Sequence, residues 1–200
     1  MGQEMNQGGE KGRKRTTEGK SLAELLEREG PFSPARVLAW MEPVVRQLAR
    51  EHGEGYVHGG ITPACIIIYH QLWYCFPLSD ERMKGFSTWE KGQEKGQLTA
   101  GQRQNAQGAD ADRRQGWEAL EEKMGQQETG PWSDVYSLCA VMYAAITGRP
   151  PENAADRMSG AELRPPSQLG IQIDETQEAA LMKGLALLRK DRWQDGGELY

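Results

Sequence analysis

The sequence predicts a mainly α-helical domain with one small β-hairpin. Two observations carry this. Apolar residues recur at helical spacing through four segments, at about 21–29, 34–52, 134–147 and 174–188. Two β-rich runs, Ile66-Ile67-Ile68-Tyr69 and Leu72-Trp73-Tyr74-Cys75-Phe76, are separated only by His70-Gln71, the spacing of a hairpin.

Residues 1–18 are Gly, Gln, Lys and Glu with almost no apolar content, the composition of a disordered leader. Order begins at Ser21, which forms a capping box with Glu24 and starts a short helix carrying Leu22, Leu25 and Leu26. Gly30-Pro31 ends it. Ser33-Pro34 opens the next helix as N-cap and first-turn proline. Its apolar set is Val37, Leu38, Met41, Val44, Val45, Leu48 and Ala49, and Pro43 inside it should bend the axis. Tyr56-Val57-His58 reads as a short extended piece before the hairpin. From 79 to about 115 the composition collapses to Gln, Gly, Lys, Glu and Asp, which favours a disordered loop. Order resumes at Gly116-Trp117. Ser133 is the expected N-cap of the strongest helix, Asp134 to about Thr147, apolar nearly all round and so predicted to be buried. Gly148 and Pro150-Pro151 close it. Residues 152–170 read as loop. Asp174 caps a last clear helix through Leu188, and a polar turn finishes the chain.

The bulk numbers narrow the function classes. A chain of 200 residues suits one domain, or one lobe with tails. Net charge is -5 and the sequence pI about 5.4, which argues against a nucleic-acid binder. The basic cluster Lys11 to Arg15 reads as a solvated tail. Mean hydropathy is -0.72, and no apolar run approaches the roughly 20 residues of a membrane helix. Cys65, Cys75 and Cys139 form no Cys-x-x-Cys pair, so spacing suggests neither a zinc site nor a disulfide framework. Three thiols without a signal sequence fit a reducing cytoplasm.

Three segments resemble protein kinases, above all bacterial serine/threonine kinases. Tyr56-Val57-His58-Gly59-Gly60-Ile61-Thr62-Pro63-Ala64-Cys65 and the isoleucines after it resemble the catalytic loop, usually H-R-D-x-x-x-x-N followed by an apolar strand. Gly116 to Glu121 resembles the degenerate A-P-E region that closes the activation segment. Gly130 to Leu138, continued to Pro151, resembles the central helix of the large lobe. Asp191-Arg192-Trp193 fits a late Asp-Arg element. The resemblance implies the C-terminal large lobe of a protein kinase-like fold over 19–200, with 79–115 in the place of the activation segment. It also implies structural roles. Glu121 and Arg192 match a buried ion pair, Asp134 matches a carboxylate that accepts backbone N–H groups of the catalytic loop, and His58 matches a packing histidine.

The departures concern the chemistry. Gly60 stands where the family has its catalytic aspartate, Gly59 replaces the arginine, and Cys65 replaces the asparagine that holds magnesium. Glycine accepts no proton, and a thiol is a poor ligand for a hard cation. Phe76-Pro77-Leu78 replaces Asp-Phe-Gly, and neither the glycine-rich loop nor the lysine of a small lobe is found. The first reading is therefore a pseudokinase lobe, not an enzyme, that binds a protein partner as a scaffold and needs no cofactor. A second is a kinase fragment that takes ATP and Mg with a small lobe from another chain. A third is a decayed remnant. A large lobe without its small lobe leaves its upper surface uncovered, so Leu72, Trp73, Tyr74 and Phe76, with Leu22 and Leu25, form the candidate interaction surface. For Trp73, Tyr74 and Phe76 taken by themselves, core packing of the hairpin is the preferred reading and a docking surface the second.

Overall fold

The structure, a computed structural model, describes residues 19–69, 72–75, 116–124 and 129–200. The expected leader at 1–18, the expected loop at 79–115 and Phe76 lie outside the described residues. In chain order the elements are α1 (Leu22–Glu29), α2 (Pro34–Gly53), β1 (Ile66–Tyr69), β2 (Leu72–Cys75), α3 (Leu120–Met124), α4 (Pro131–Thr147), α5 (Ala154–Met158), α6 (Glu175–Gly184) and α7 (Gly196–Leu199). Short 3-10 turns lie at Pro166–Leu169 and Arg189–Asp191.

The core is built around α4. Every residue from Ser133 to Ile146 is buried, as a helix apolar on all sides requires. The helix starts earlier than its sequence signal. Pro131 takes the first helical position, where a missing N–H is harmless, and Gly130 is the N-cap. Ser133, the expected cap, sits inside the first turn, and its hydroxyl accepts the Gly130 N–H at 3.3 Å. Helix α2 lies against α4, β2 and α7. It runs unbroken past Pro43 and buries Val37, Met41, Val44, Val45 and Leu48 along one stripe. The link before it is pinned to α4 by the Phe32 N–H donating to the Ala145 carbonyl at 2.8 Å.

Helix α1 has its capping box. Glu24 accepts the Ser21 N–H at 2.8 Å, and Ser21 Oγ accepts the Glu24 N–H at 3.2 Å. Just before it, Gly19 N–H donates to Ile68 O and Ile68 N–H to Lys20 O, so the lead-in lines the free edge of β1. The hairpin is antiparallel with Ile66 opposite Cys75 and Ile68 opposite Trp73. On its other side α2 takes hold of β2. The Gln47 side chain donates to Cys75 O at 2.7 Å and accepts Cys75 N–H at 3.0 Å, as a neighbouring strand would.

This packing corrects the candidate interaction surface. Side chains alternate along a strand, and Trp73 and Cys75 of β2 point inward, under α2. Trp73 is only 1% exposed and its ring centroid lies 5.0 Å from that of Trp40, so it belongs to the core. Leu22 and Leu25 are buried as well, on the inner face of α1. Tyr74 is partly buried, and among the described residues of the set only Leu72 is well exposed, at 49%.

The C-terminal third is more regular than its sequence suggests. Helix α5 and a 3-10 turn occupy the stretch read as loop. Helix α6 is capped by Asp174, whose Oδ1 accepts the Thr176 N–H at 2.9 Å and the Gln177 N–H at 3.2 Å. It ends at Gly184, so Leu188 lies beyond the helix and is exposed. The expected polar turn at the end is α7, which docks on α2. Among the described residues no helix is long and apolar enough to cross a membrane.

Candidate functional site

The segment between α2 and β1 is held from below by one carboxylate. Asp134, in the first turn of α4, accepts the His58 N–H at 2.7 Å through Oδ2 and the Gly59 N–H at 2.8 Å through Oδ1. His52 Nε2 lies 3.1 Å from the same Oδ2, and His52 Nδ1 accepts the Gly196 N–H at 3.0 Å. An imidazole that accepts at Nδ1 and faces a carboxylate at Nε2 carries its proton on Nε2. Asp134 and His52 together thus join α2, the 58–59 loop, α4 and α7.

The loop above this clamp contains Gly60 and Cys65. Gly60 is buried and has φ +132°, outside the well that L-residues use at positive φ. Cys65 closes a small turn. Its N–H donates to Thr62 O at 3.2 Å, its thiol donates to the same oxygen at 3.0 Å, and its sulfur accepts the Thr62 N–H at 3.2 Å.

Cys65 does not stand alone. Its Sγ lies 3.4 Å from Cys75 Sγ, which in turn lies 3.4 Å from His58 Nε2. Burial pushes the Cys65 thiol up. The hydrogen bond with Cys75, the electrostatic effect of His58 and the hydrogen bonds to Thr62 outweigh it, and bring the pKa down to about 6. Cys75 is held well above the ordinary thiol value by burial and by its bonded neighbour Cys65.

A second buried group lies against the first turn of α4. Arg192 donates to both oxygens of Glu121, at 2.6 and 3.0 Å, and also to the carbonyls of Ala186, Leu187 and Trp132. Ser133 Oγ donates to the same carboxylate at 2.8 Å. Burial raises the Glu121 pKa, but the bonds from Arg192 outweigh it and leave the group below its ordinary value. Every donor of this guanidinium that points inward has an acceptor, the condition under which a buried ion pair holds together.

No family model matches the chain. Serine/threonine-protein kinase PknH of Mycobacterium tuberculosis is 26% identical over 192 residues, covering 92% of this chain and 28% of that protein. Serine/threonine-protein kinase PknE of the same organism is 26% identical over 191 residues, covering 92% of this chain and 31% of its own length. A solved structure, PpkA-294 in its apo form, superposes with a TM-score of 0.64 at 22% identity, over 92% of this chain and 59% of that one. The fold is protein kinase-like. The chain spans less than a third of the length of the two kinases it resembles.

Within the kinase-like lobe, His58, Cys65 and Asp134 come together around the 58–65 loop, whereas Glu121 and Arg192 pair with each other and with Ser133. Two residues of the site escaped sequence reasoning. His52 follows Leu48 by one helical turn on the buried stripe of α2, a spacing that marks it as inward-facing. Cys75 alternates with Trp73 on the inner face of β2, so any strand that buries Trp73 also delivers this thiol beside the loop.

Proposed function

We propose that this kinase-like lobe transfers no phosphate and serves as a protein-binding or scaffolding module in a reducing bacterial cytoplasm. The observation that carries the reading is Gly60. The position that the resemblance assigns to the catalytic base has no side chain, and its φ of +132° is one that an aspartate would occupy only under strain. Cys65, at the position assigned to a magnesium ligand, is fully buried and spends its sulfur on Thr62 and Cys75. Phosphoryl transfer rests on positioning and charge neutralisation by these groups. The buried polar contacts that hold the lobe together are meanwhile complete around Asp134 and Arg192, which favours a shaped surface over a decayed one. Among the described residues of the hairpin, Leu72 is the well-exposed apolar group that a partner could take.

The test is a thermal melt of the purified chain with and without millimolar Mg-ATP, alongside an assay for transfer of labelled phosphate. The expected result is a cooperative melt that nucleotide does not move, with no labelled product. A nucleotide present at 100 times its dissociation constant would add about 2.7 kcal/mol. Such a shift, or any labelled product, overturns the reading. A chain with no cooperative melt would instead need a partner to fold or be a remnant.

A further inference from the structure

His58, Cys65 and Cys75 bring one nitrogen and two sulfurs within 4.8 Å of one another, from three different parts of the chain. The loop supplies His58, the turn before β1 supplies Cys65, and the end of β2 supplies Cys75. Zinc bonds of about 2.3 Å to sulfur and 2.0–2.1 Å to nitrogen place tetrahedral ligand atoms about 3.8 Å apart for two sulfurs and about 3.5 Å for sulfur and nitrogen. Two of the three pairs are observed at 3.4 Å and the third, Cys65 Sγ to the His58 nitrogen, lies within 4.8 Å, so an ion would spread the first two slightly and draw the third together.

We propose that these three residues form a zinc-binding site. Charge favours the choice. Two thiolates and a neutral imidazole around Zn²⁺ make a centre of no net charge, the kind that a buried position tolerates. The thiol protons leave to solvent as the ion enters. Softness favours it too, because two sulfurs and an imidazole suit zinc and do not suit magnesium or calcium. A second observation lies beside the cluster. Two buried polar atoms there have no partner among the described residues, His58 Nδ1 and Thr62 Oγ1, and Thr62 is 2% exposed. Thr62 is the residue whose backbone N–H and carbonyl both hold Cys65 Sγ. Thr62 thereby holds the Cys65 sulfur beside that of Cys75 before any ion arrives. The inference does not depend on whether the lobe transfers phosphate.

The test uses the full chain, purified in reductant, freed of metal by a chelator and then titrated with Co²⁺ as an optical stand-in. The expected result is thiolate-to-cobalt charge transfer in the near ultraviolet, with intense visible bands of a tetrahedral ion. The signal saturates at one equivalent and is bleached by Zn²⁺. Zinc should also raise the melting temperature. Both effects should vanish in the Cys65→Ser/Cys75→Ser variant, weaken in His58→Ala and survive in Cys139→Ala, whose thiol is not in the cluster. An unfolded serine variant does not rescue the proposal, because the wild-type spectrum decides it first. No charge-transfer band in the wild-type chain overturns it. So does a signal that persists in a folded double-serine variant, or one that Cys139→Ala abolishes.

Discussion

Glu122 is a residue whose surroundings set a pH dependence. Its Oε1 accepts the Ala119 N–H at 3.1 Å and the Ser137 hydroxyl at 3.4 Å. Burial raises its pKa to about 7 against the pull of the Ala119 N–H, with Asp134, Glu118 and Glu121 adding negative charge nearby. Between the ordinary value of 4.5 and about 7 the folded chain therefore binds more protons than the unfolded chain. The group's contribution is fully present below pH 4.5 and is lost as pH rises through about 7. Replacing Glu122 by Gln removes that loss. In urea melts, the stability of Glu122→Gln relative to wild type should climb by up to about 3 kcal/mol between the acid and alkaline ends of this window. A difference that stays constant with pH would mean that the carboxyl is not strained by burial. Nothing in the sequence around Glu122 announces this, since Glu121-Glu122 looks like an ordinary acidic first turn. Its contacts Ser137 and Asp134 come from α4, which the local sequence does not reveal.

At the scale of elements, α7 depends on a close approach. A Cβ on Gly196 would stand 2.6 Å from the Ala49 nitrogen and 2.9 Å from the Leu48 carbonyl carbon, both backbone atoms of α2 that cannot yield alone. The Gly196 N–H also donates to His52. Gly196→Ala should therefore push α7 off α2 and cost about 2–4 kcal/mol, from overpacking and a strained hydrogen bond together. Gly197→Ala meets only the Asp195 side chain and should cost far less. Equal effects at the two glycines in denaturant melts would remove the argument for close docking. The same helix marks the limit of sequence reading. Helices α1, α2 and α4 are long enough to repeat an apolar stripe or carry a cap signal, so they could be placed before the structure. Helices α5 and α7 have five and four residues, too few for periodicity, and are made by the surface they dock on. The start of α4 was misplaced for a related reason. Ser133 carries the sequence signal of a cap, but Gly130-Pro131 fits the entry better because Ser133 is needed at Glu121.

At the scale of the whole molecule, Asp134 ties together parts of the chain that propensity cannot connect. His52 and His58 lie 82 and 76 residues away from it in sequence, and His52 reaches a further 144 residues to Gly196. The resemblance to kinases singles out Asp134 from its motif, while His52 and Gly196 as its extension become visible only in three dimensions. Asp174 offers a comparison within the same chain. It too is an aspartate at a helix start, but its partners, Thr176 and Gln177, are local and exposed. Truncating a surface cap costs about 1 kcal/mol. Truncating Asp134 strands two backbone N–H groups and a buried imidazole, so Asp134→Ala should cost about 3–5 kcal/mol. Denaturant melts read by far-ultraviolet circular dichroism and by tryptophan fluorescence give the comparison. Trp40 and Trp73 report on the packing of α2 against β2, and the two probes should coincide in the wild-type chain. If Asp134→Ala costs no more than Asp174→Ala, the long-range clamp does not hold the lobe together. Hydrophobic packing around α4 would then have to account for its order, and a retained surface without retained chemistry would lose its main structural support.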